Sequence, residues 1–316
     1  MRIVVLDDYQ NVARTFGPFD RLGAEVTVRS EHVGDVDQLI TALRGVDVVV
    51  AMRERTPFGA AQFSRLPDLK LLVTTGMVNA SIDLEAAAAH GVTVCGTEGA
   101  PGPSKATAEL TWALILAVLR HVPEENRALR AGQWQTTVGT GVAGSTLGLA
   151  GLGRLGSQVA RVGRAFDMDV IAWSENLTAA RASEVGVRAV SKEELLTNAD
   201  VLSVHLRLSD RTAGLFGAAE LALMKPTAVL INTSRGPIVD EKALVAALHA
   251  GALGGAGLDV YDTEPLPPHH PLLAAPRTVL LPHLGYVTAQ TYAHWYPQLV
   301  ENIEAWSAGT PIRVMS

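Results

Sequence analysis

The chain has 316 residues, of which 48% are hydrophobic and 18% charged, and its formal net charge is −6. This length and apolar content predict a globular protein with two domains rather than one. The modest negative charge and the lack of a basic cluster argue against nucleic acid and anionic membrane surfaces as partners.

Five short apolar runs in the first hundred residues predict the strands of a parallel sheet. β-Branched residues are frequent in them, and segments with helical periodicity lie between them, as is typical of α/β proteins. The runs span residues 2–6, 24–29, 46–52, 69–75 and 92–97.

The start of the chain carries no recognisable targeting signal. The apolar run at residues 2–6 is followed at once by Asp7 and Asp8, and the apolar segment 110–119 is too short to span a bilayer. The only cysteine, Cys95, is predicted to be a small core residue on a strand, which suits a reducing compartment. We therefore expect a cytoplasmic protein without a membrane anchor.

A second α/β series follows the hinge-like segment 99–104 and a long helical segment at 105–121. Ser191 with Glu194 predicts a capping box, and Asp240 predicts another helix start. The last amphipathic segment, 288–309, is too long and too late for the second sheet, so we expect it to return to the first. Six strands are predicted for this second doubly wound sheet, at residues 145–151, 169–174, 201–206, 227–234, 255–260 and 278–283.

A glycine-rich loop follows the first strand of this second series. It reads Gly151-Leu152-Gly153-Arg154-Leu155-Gly156 and precedes a helical segment. The motif alone is also compatible with a simple tight turn. In a strand–loop–helix–strand unit, however, it predicts backbone N–H groups at a helix N-terminus that bind the pyrophosphate of a dinucleotide.

The identity of the dinucleotide depends on the end of the next strand. An acidic residue there usually binds the ribose hydroxyls of NAD. This chain has Ser174 at that position, and the acid comes one residue later as Glu175. Glu175 favours NAD because its carboxylate repels a 2′-phosphate, whereas Ser174 and Arg181 would accommodate NADP.

Three polar residues lie at or just past the carboxyl ends of later strands: Arg235, Glu264 and His283. In an open α/β sheet these strand ends form the ligand crevice. Each residue also has a structural explanation, as a partner of Asp240, a solvated loop acid and a buried histidine respectively. Together they predict an active site.

With these motifs, the sequence resembles the D-isomer-specific 2-hydroxyacid dehydrogenase family, in its phosphoglycerate-dehydrogenase-like branch. The stretches that carry the resemblance are "GLGRLG", "SVHL", "INTSRGPIVDEKAL", "GLDVYDTEPL" and "PHLG". The resemblance implies an α/β fold with two doubly wound parallel-sheet domains. A Rossmann NAD-binding domain, residues 103–285, would be inserted into a flavodoxin-like substrate domain made of residues 1–102 and 286–316.

The resemblance also implies an oxidoreductase that transfers a hydride between a nicotinamide and a 2-keto acid/D-2-hydroxy acid pair. Arg235 would bind the carboxylate and carbonyl oxygen, His283 would supply the proton, and Glu264 would keep His283 protonated. It further implies a homodimer formed through the cofactor domains. The remaining implied contacts are Asp259 near the nicotinamide, Arg154, Leu155, Thr233 and Ser234 along the cofactor, and Met77, Val78 and Asn79 at the substrate.

Some positions depart from the family pattern. Val78 replaces a glycine in the substrate loop, Arg207 replaces a proline, and Tyr286 stands where a small residue is common. These changes leave the keto acid open, although Arg53 and Arg55 are candidates to contact an acidic group.

Two alternatives to this function remain open. One is a dinucleotide-sensing interaction protein on the same scaffold, which the retention of all three polar residues disfavours. The other is a formate-dehydrogenase-like enzyme, in which glutamine takes the role that Glu264 has here. His269 and His270 are adjacent, but no third ligand follows at a regular spacing, so we predict no metal.

Overall fold

A computed structural model describes residues 1–99 and 105–316 of the chain. It divides into two compact units, of which unit 1 comprises Met1–Gly102 with Thr288–Ser316, and unit 2 comprises Pro103–Val287. Most of the predicted hinge-like segment 99–104 lies outside the described residues.

Unit 1 begins with a parallel sheet in which the strand order is β2-β1-β3-β4-β5. All five predicted strands are present, each shorter than its apolar run. The strands are β1 (Arg2–Val5), β2 (Glu25–Val28), β3 (Val48–Ala51), β4 (Leu71–Thr74) and β5 (Thr93–Cys95), and the α-helices between them are α1 (Ala13–Phe16), α2 (Val36–Ala42), α3 (Ala60–Phe63) and α4 (Leu84–Ala89).

The central strands of this sheet are buried on both faces because helices cover both sides of a parallel sheet. Every residue of β3 and β4 is buried. Cys95 is fully buried in β5, as predicted, and burial raises the pKa of its thiol to about 11. The thiol is therefore protonated and unreactive at neutral pH.

Residues 105–287 of unit 2 form a second parallel sheet with the order β12-β11-β10-β9-β6-β7-β8. Its strands are β6 (Thr146–Ala150), β7 (Asp169–Trp173), β8 (Arg188–Ala189), β9 (Val201–Val204), β10 (Val229–Asn232), β11 (Gly255–Leu258) and β12 (Thr278–Leu280). Its α-helices are α5 (Ala106–Leu119), α6 (Val122–Arg130), α7 (Arg154–Ala165), α8 (Ala179–Ser183), α9 (Lys192–Asn198), α10 (Ala218–Leu221) and α11 (Glu241–His249).

The prediction of six strands in this sheet is wrong, because the structure has seven. The additional strand, β8, has only two residues and leaves no periodic pattern in the sequence. The predicted capping box is half wrong: the Ser191 side chain accepts the backbone N–H of Glu194, but the Glu194 carboxylate binds Arg188 at 2.6 Å. Asp240 caps α11 as predicted, since its side chain accepts the N–H of Ala243.

The order of the second sheet reverses at β6, whose neighbours are β7 on one side and β9 on the other. Ligands of open α/β sheets bind beyond the carboxyl ends of the strands at such a switch point. The loops after β6 and β9 are therefore where a cofactor is expected in unit 2.

Helix α12 (Ala289–Ser307) belongs to unit 1, as do the residues that follow it. Tyr292 and Tyr296 of this helix are buried and pack against Phe16. Within the described parts of the chain, no helix combines the length and apolar character needed to cross a bilayer.

Candidate active site

The three glycines of the loop after β6 differ in the space around them. Gly151 has φ +101°, and an added Cβ would lie 2.7 Å from the His205 carbonyl oxygen. At Gly156 an added Cβ would lie 2.2 Å from the Gly151 carbonyl oxygen. These two positions need glycine for the turn and for close packing of α7 against the loop.

The middle glycine, Gly153, is the N-cap of α7 and is exposed, with no atom within 4 Å of an added Cβ. Open space at the helix N-terminus is where backbone N–H groups meet a pyrophosphate. Arg154 and Leu155 form the first positions of α7 and border the same space. The loop thus fits the dinucleotide that its sequence predicts.

The residues predicted to select the cofactor follow β7. Ser174 is half-buried and Glu175 is exposed. The guanidinium of Arg181, the cation considered for a 2′-phosphate, forms an ion pair with Glu184. This arrangement favours NAD, because the nearby cation already has a carboxylate partner.

The structure brings a further residue, His205, to the glycine loop. His205 follows β9, and its Nε2 lies 2.9 Å from the Ser203 Oγ. Burial lowers the pKa of His205 to about 4, so the ring is neutral at pH 7. Its Nδ1 is buried without a hydrogen-bond partner among the described residues. The sequence offered only "SVHL" as a signal, and no motif rule selects this histidine.

Arg235 stands in a tight turn after β10. The Asn232 side chain holds this turn: its amide donates to the Arg235 carbonyl at 2.9 Å, and its oxygen accepts the Ser234 N–H at 3.0 Å. Thr233 is buried and its hydroxyl contacts that of Thr111 at 2.9 Å. The turn therefore fixes the backbone from which the half-buried Arg235 guanidinium extends.

Glu264 and His283 form a close pair in unit 2, as predicted. The His283 Nδ1 lies 2.6 Å from Glu264 Oε2, while Glu264 Oε1 accepts the backbone N–H of Tyr261 at 3.0 Å. Burial by itself raises the pKa of Glu264, but the hydrogen bond and charge of His283 outweigh it, so the net pKa lies below its ordinary value. Glu264 is thus an ionised carboxylate that accepts a hydrogen bond from the imidazole.

The backbone at His283 is in the left-handed region, with φ +56°. Asp259 holds the turn that follows: its two carboxylate oxygens accept the N–H groups of Leu284 at 2.7 Å and Gly285 at 2.8 Å. Burial raises the pKa of Asp259 to about 6, although these hydrogen bonds and the His283 charge lower it. In unit 2, Asp259 therefore positions His283 through the backbone.

Tyr286 approaches the same imidazole from another side. The ring centroids of His283 and Tyr286 are 5.6 Å apart, and the planes are inclined by 69°, which is an edge-to-face contact. The aromatic residue that departs from the family pattern is thus a direct neighbour of the predicted proton donor.

A second histidine–carboxylate pair supports the loop that carries Glu264. Glu241 accepts the backbone N–H of Asp262 at 2.9 Å, and its other oxygen lies 3.2 Å from His270 Nε2. His270 is thus a partner of Glu241 rather than a solvated loop residue. Among the residues described, no group of three His, Cys, Asp or Glu side chains is arranged to hold a metal ion.

The predicted substrate residues Met77, Val78 and Asn79 lie in unit 1, in the loop after β4. The Asn79 side chain is buried and donates to the Arg53 carbonyl at 2.7 Å and to Thr74 Oγ1 at 2.9 Å. Met77 and Val78 are 41% and 68% exposed. No described residue accepts a hydrogen bond from the backbone N–H groups of residues 77–79. Such consecutive amides are suited to binding a carboxylate.

Comparison with known proteins gives consistent matches. Residues 112–285 match the family model described as D-isomer specific 2-hydroxyacid dehydrogenase, NAD binding domain. A glyoxylate reductase of Aeropyrum pernix is 41% identical over 255 residues, which cover 78% of this chain and 76% of the relative. A D-3-phosphoglycerate dehydrogenase of Bacillus subtilis is 36% identical over 83% of this chain and 50% of its own length.

A solved structure is also similar over nearly all of both chains. It is a putative D-3-phosphoglycerate dehydrogenase oxidoreductase from Ralstonia solanacearum, with a TM-score of 0.92 and 38% identity. The alignment covers 99% of this chain and 96% of that one.

Proposed function

Because the chain belongs to the D-isomer specific 2-hydroxyacid dehydrogenase family, we propose that Arg235, Glu264 and His283 are the residues that interconvert its 2-keto and D-2-hydroxy acids. The observation that carries this assignment is the 2.6 Å contact between His283 Nδ1 and Glu264 Oε2. A hydrogen bond of this length fixes the orientation of the imidazole ring.

The proposed roles follow from the chemistry of each side chain. When bound, the nicotinamide supplies a hydride to the carbonyl carbon, or accepts it in the reverse direction. Arg235 binds the substrate carboxylate and carbonyl oxygen, because a planar guanidinium donates two parallel hydrogen bonds. His283 donates a proton from Nε2 to the carbonyl oxygen, since Glu264 holds Nδ1. Asp259 and Glu264 act as positioning residues for this ring.

We assign the remaining contacts to the residues identified from the sequence. In unit 1, the backbone N–H groups of Met77, Val78 and Asn79 are proposed to bind the substrate carboxylate. The proposed cofactor contacts in unit 2 are Gly151, Gly153, Arg154, Leu155, Gly156, Ser174, Glu175, Thr233, Ser234 and Asp259.

The first prediction tests this function and its cofactor together. The protein is expected to reduce at least one acid among glyoxylate, hydroxypyruvate, pyruvate and phenylpyruvate, with a higher kcat/KM for NADH than for NADPH. The physical reason for the preference is the Glu175 carboxylate just past β7, where we propose that the ribose binds, together with the Arg181–Glu184 ion pair. The measurement is the initial rate of loss of reduced cofactor at 340 nm.

Two outcomes would count against this assignment. Oxidation of formate without reduction of any keto acid would contradict the proposed activity. A clear preference for NADPH would leave the activity intact and refute the role given to Glu175.

We also propose that the protein is a cytoplasmic homodimer formed through unit 2. This unit exposes several large apolar side chains, among them Trp134 at 77% and Val138 at 93%. A groove of about 740 Å³ lies beside them, lined by Leu116, Val122 and Leu129 among others. Exposed apolar surface of this kind marks a protein interface. The single buried thiol of Cys95 is in keeping with a reducing compartment.

The dimer leads to a second prediction. Light scattering is expected to give twice the chain mass for the wild type, whereas Trp134→Glu combined with Val138→Glu yields a monomer, because two buried carboxylates oppose association. Circular dichroism verifies that the variant is folded. A wild-type monomer, or an unchanged dimer in the variant, would rule out this interface.

A further inference from the structure

Arg53 is a cation placed directly beside the proposed substrate loop of unit 1. It follows β3 with φ +50°, and its Nη1 donates to the Thr75 carbonyl at 3.2 Å. A Cβ added at Gly76 would lie only 2.2 Å from Arg53 Nη1. The guanidinium therefore packs on the first residue of the loop, where it could bind a second acidic group on a substrate.

The charge of Arg53 is already compensated by its neighbour in sequence. Glu54 Oε1 lies 3.4 Å from Arg53 Nη2, and the two side chains are only 20% and 24% exposed. Because both groups are shielded from bulk water, their electrostatic influence is stronger than that of a surface ion pair. A second anionic group of a substrate bound beside Arg53 would therefore be repelled by the Glu54 carboxylate as well as attracted by the guanidinium.

Arg55, the other candidate cation, has a structural role within unit 1. Its Nη1 donates to the Asp7 carbonyl at 2.6 Å, and its guanidinium lies 4.5 Å from the centre of the Tyr9 ring. These contacts hold Arg55 against the loop after β1. These contacts of Arg55 therefore stabilise the loop after β1, and we do not assign it a role in binding a substrate anion.

The side chains that the substrate loop presents to solvent are apolar. Met77 and Val78 are the exposed members of the loop, whereas Asn79 is buried and committed to Arg53 and Thr74. Apolar side chains favour a substrate substituent that is uncharged and at least partly hydrophobic.

We propose that Glu54 is a specificity-determining residue that restricts the enzyme to 2-keto acids without a second negative charge. This inference rests on the proposed function and narrows its substrate class to monocarboxylates, excluding phosphorylated and dicarboxylic keto acids. Glu54 acts by neutralising Arg53 and by repelling an anionic substituent beside residues 76–79.

The test compares keto acids with and without a second anionic group on similar carbon skeletons. The wild-type enzyme with NADH is assayed on 2-oxopentanoate against 2-oxoglutarate, and on hydroxypyruvate against 3-phosphohydroxypyruvate. The member of each pair without the second anionic group is expected to have a kcat/KM at least about tenfold higher. In Glu54→Gln this ratio is expected to fall by about tenfold, chiefly through a lower KM for the substrate with the second anionic group.

The controls separate electrostatics from folding. Glu31→Gln removes the same charge at an exposed position of unit 1 and should leave both ratios unchanged. Arg53→Gln combined with Glu54→Gln should abolish the gain for the substrates with a second anionic group. If Glu54→Gln does not fold, Glu54→Ser provides a second variant, which removes the same charge and should lower both ratios in the same direction.

Different failures have different meanings. A wild-type enzyme that uses both members of each pair equally, or prefers the member with the second anionic group, overturns the inference and leaves the proposed function standing. Equal losses on all four substrates in Glu54→Gln also overturn it, since they indicate a structural role. Absence of turnover on every keto acid contradicts the proposed function and the inference together.

Discussion

Replacement of His283 by alanine is expected to lower kcat/KM for keto-acid reduction by about 10²–10⁴-fold. The carbonyl oxygen must gain a proton as the hydride arrives, and His283 is the group positioned to provide it through Nε2. The loss should be largest on the acidic side of the wild-type basic limb and should shrink above it, because the alanine variant has no imidazole to titrate. Steady-state kinetics with the best substrate of the keto-acid series, over pH 5 to 10, measures it.

The companion variant Glu264→Gln distinguishes proton donation from loss of structure. Glutamine nearly keeps the shape of Glu264 but removes the charge that lies 2.6 Å from His283 Nδ1. Proton donation in the reduction requires the imidazolium, and the experiment tests whether the Glu264 carboxylate controls its population. The basic limb of the reduction profile should therefore move to lower pH, while oxidation, which needs neutral imidazole, should be better retained at neutral pH.

Two results would refute this account of the pair. Wild-type rates in His283→Ala would exclude the histidine as proton donor. Coincident basic limbs in Glu264→Gln and the wild type, after correction for the pH dependence of the reaction equilibrium, would show that the carboxylate does not control the protonation of the ring.

The second large effect is expected from Arg235→Lys, which should cost about 2–4 kcal/mol in kcat/KM. Lysine keeps the positive charge but cannot donate the two parallel hydrogen bonds of a guanidinium. The turn held by Asn232 fixes the backbone at this position. The lysine side chain is shorter and carries a single ammonium group, so it cannot reproduce the contacts of the guanidinium by a shift of the backbone. The measurement is kcat and KM for the preferred keto acid in the variant and the wild type.

A matched control is the same substitution at an exposed arginine of unit 1, Arg44→Lys, which should leave kcat/KM unchanged. Near wild-type kinetics in Arg235→Lys would mean that Arg235 supplies charge alone or lies away from the substrate. Equal losses in both variants would point to a general effect of the substitution rather than to the carboxylate clamp.

The sequence by itself determined the fold class, because its signals are local. β-Branched runs between helical segments predicted both parallel sheets, and all five strands of the first were found in place. Asp240 predicted its helix start because a cap is a contact between residues three apart. The glycine loop was also predictable from a short stretch of sequence. The backbone at Gly151 has φ +101°, and an added Cβ at Gly156 would lie against the Gly151 carbonyl, so both positions require glycine.

Only the tertiary structure decided how residues distant in sequence meet. Strand β8 was not predicted, because two residues are too few to show the alternating pattern of a strand. It forms only by pairing with β7. Glu264 and His283 are nineteen positions apart, so their 2.6 Å contact depends on how the loops after β11 and β12 fold against each other. Arg53 was visible as a cation, but its location on Gly76 follows from the adjacency of β3 and β4. Side-chain contacts across strand ends depend on sheet order and loop conformation, which no short stretch of sequence encodes.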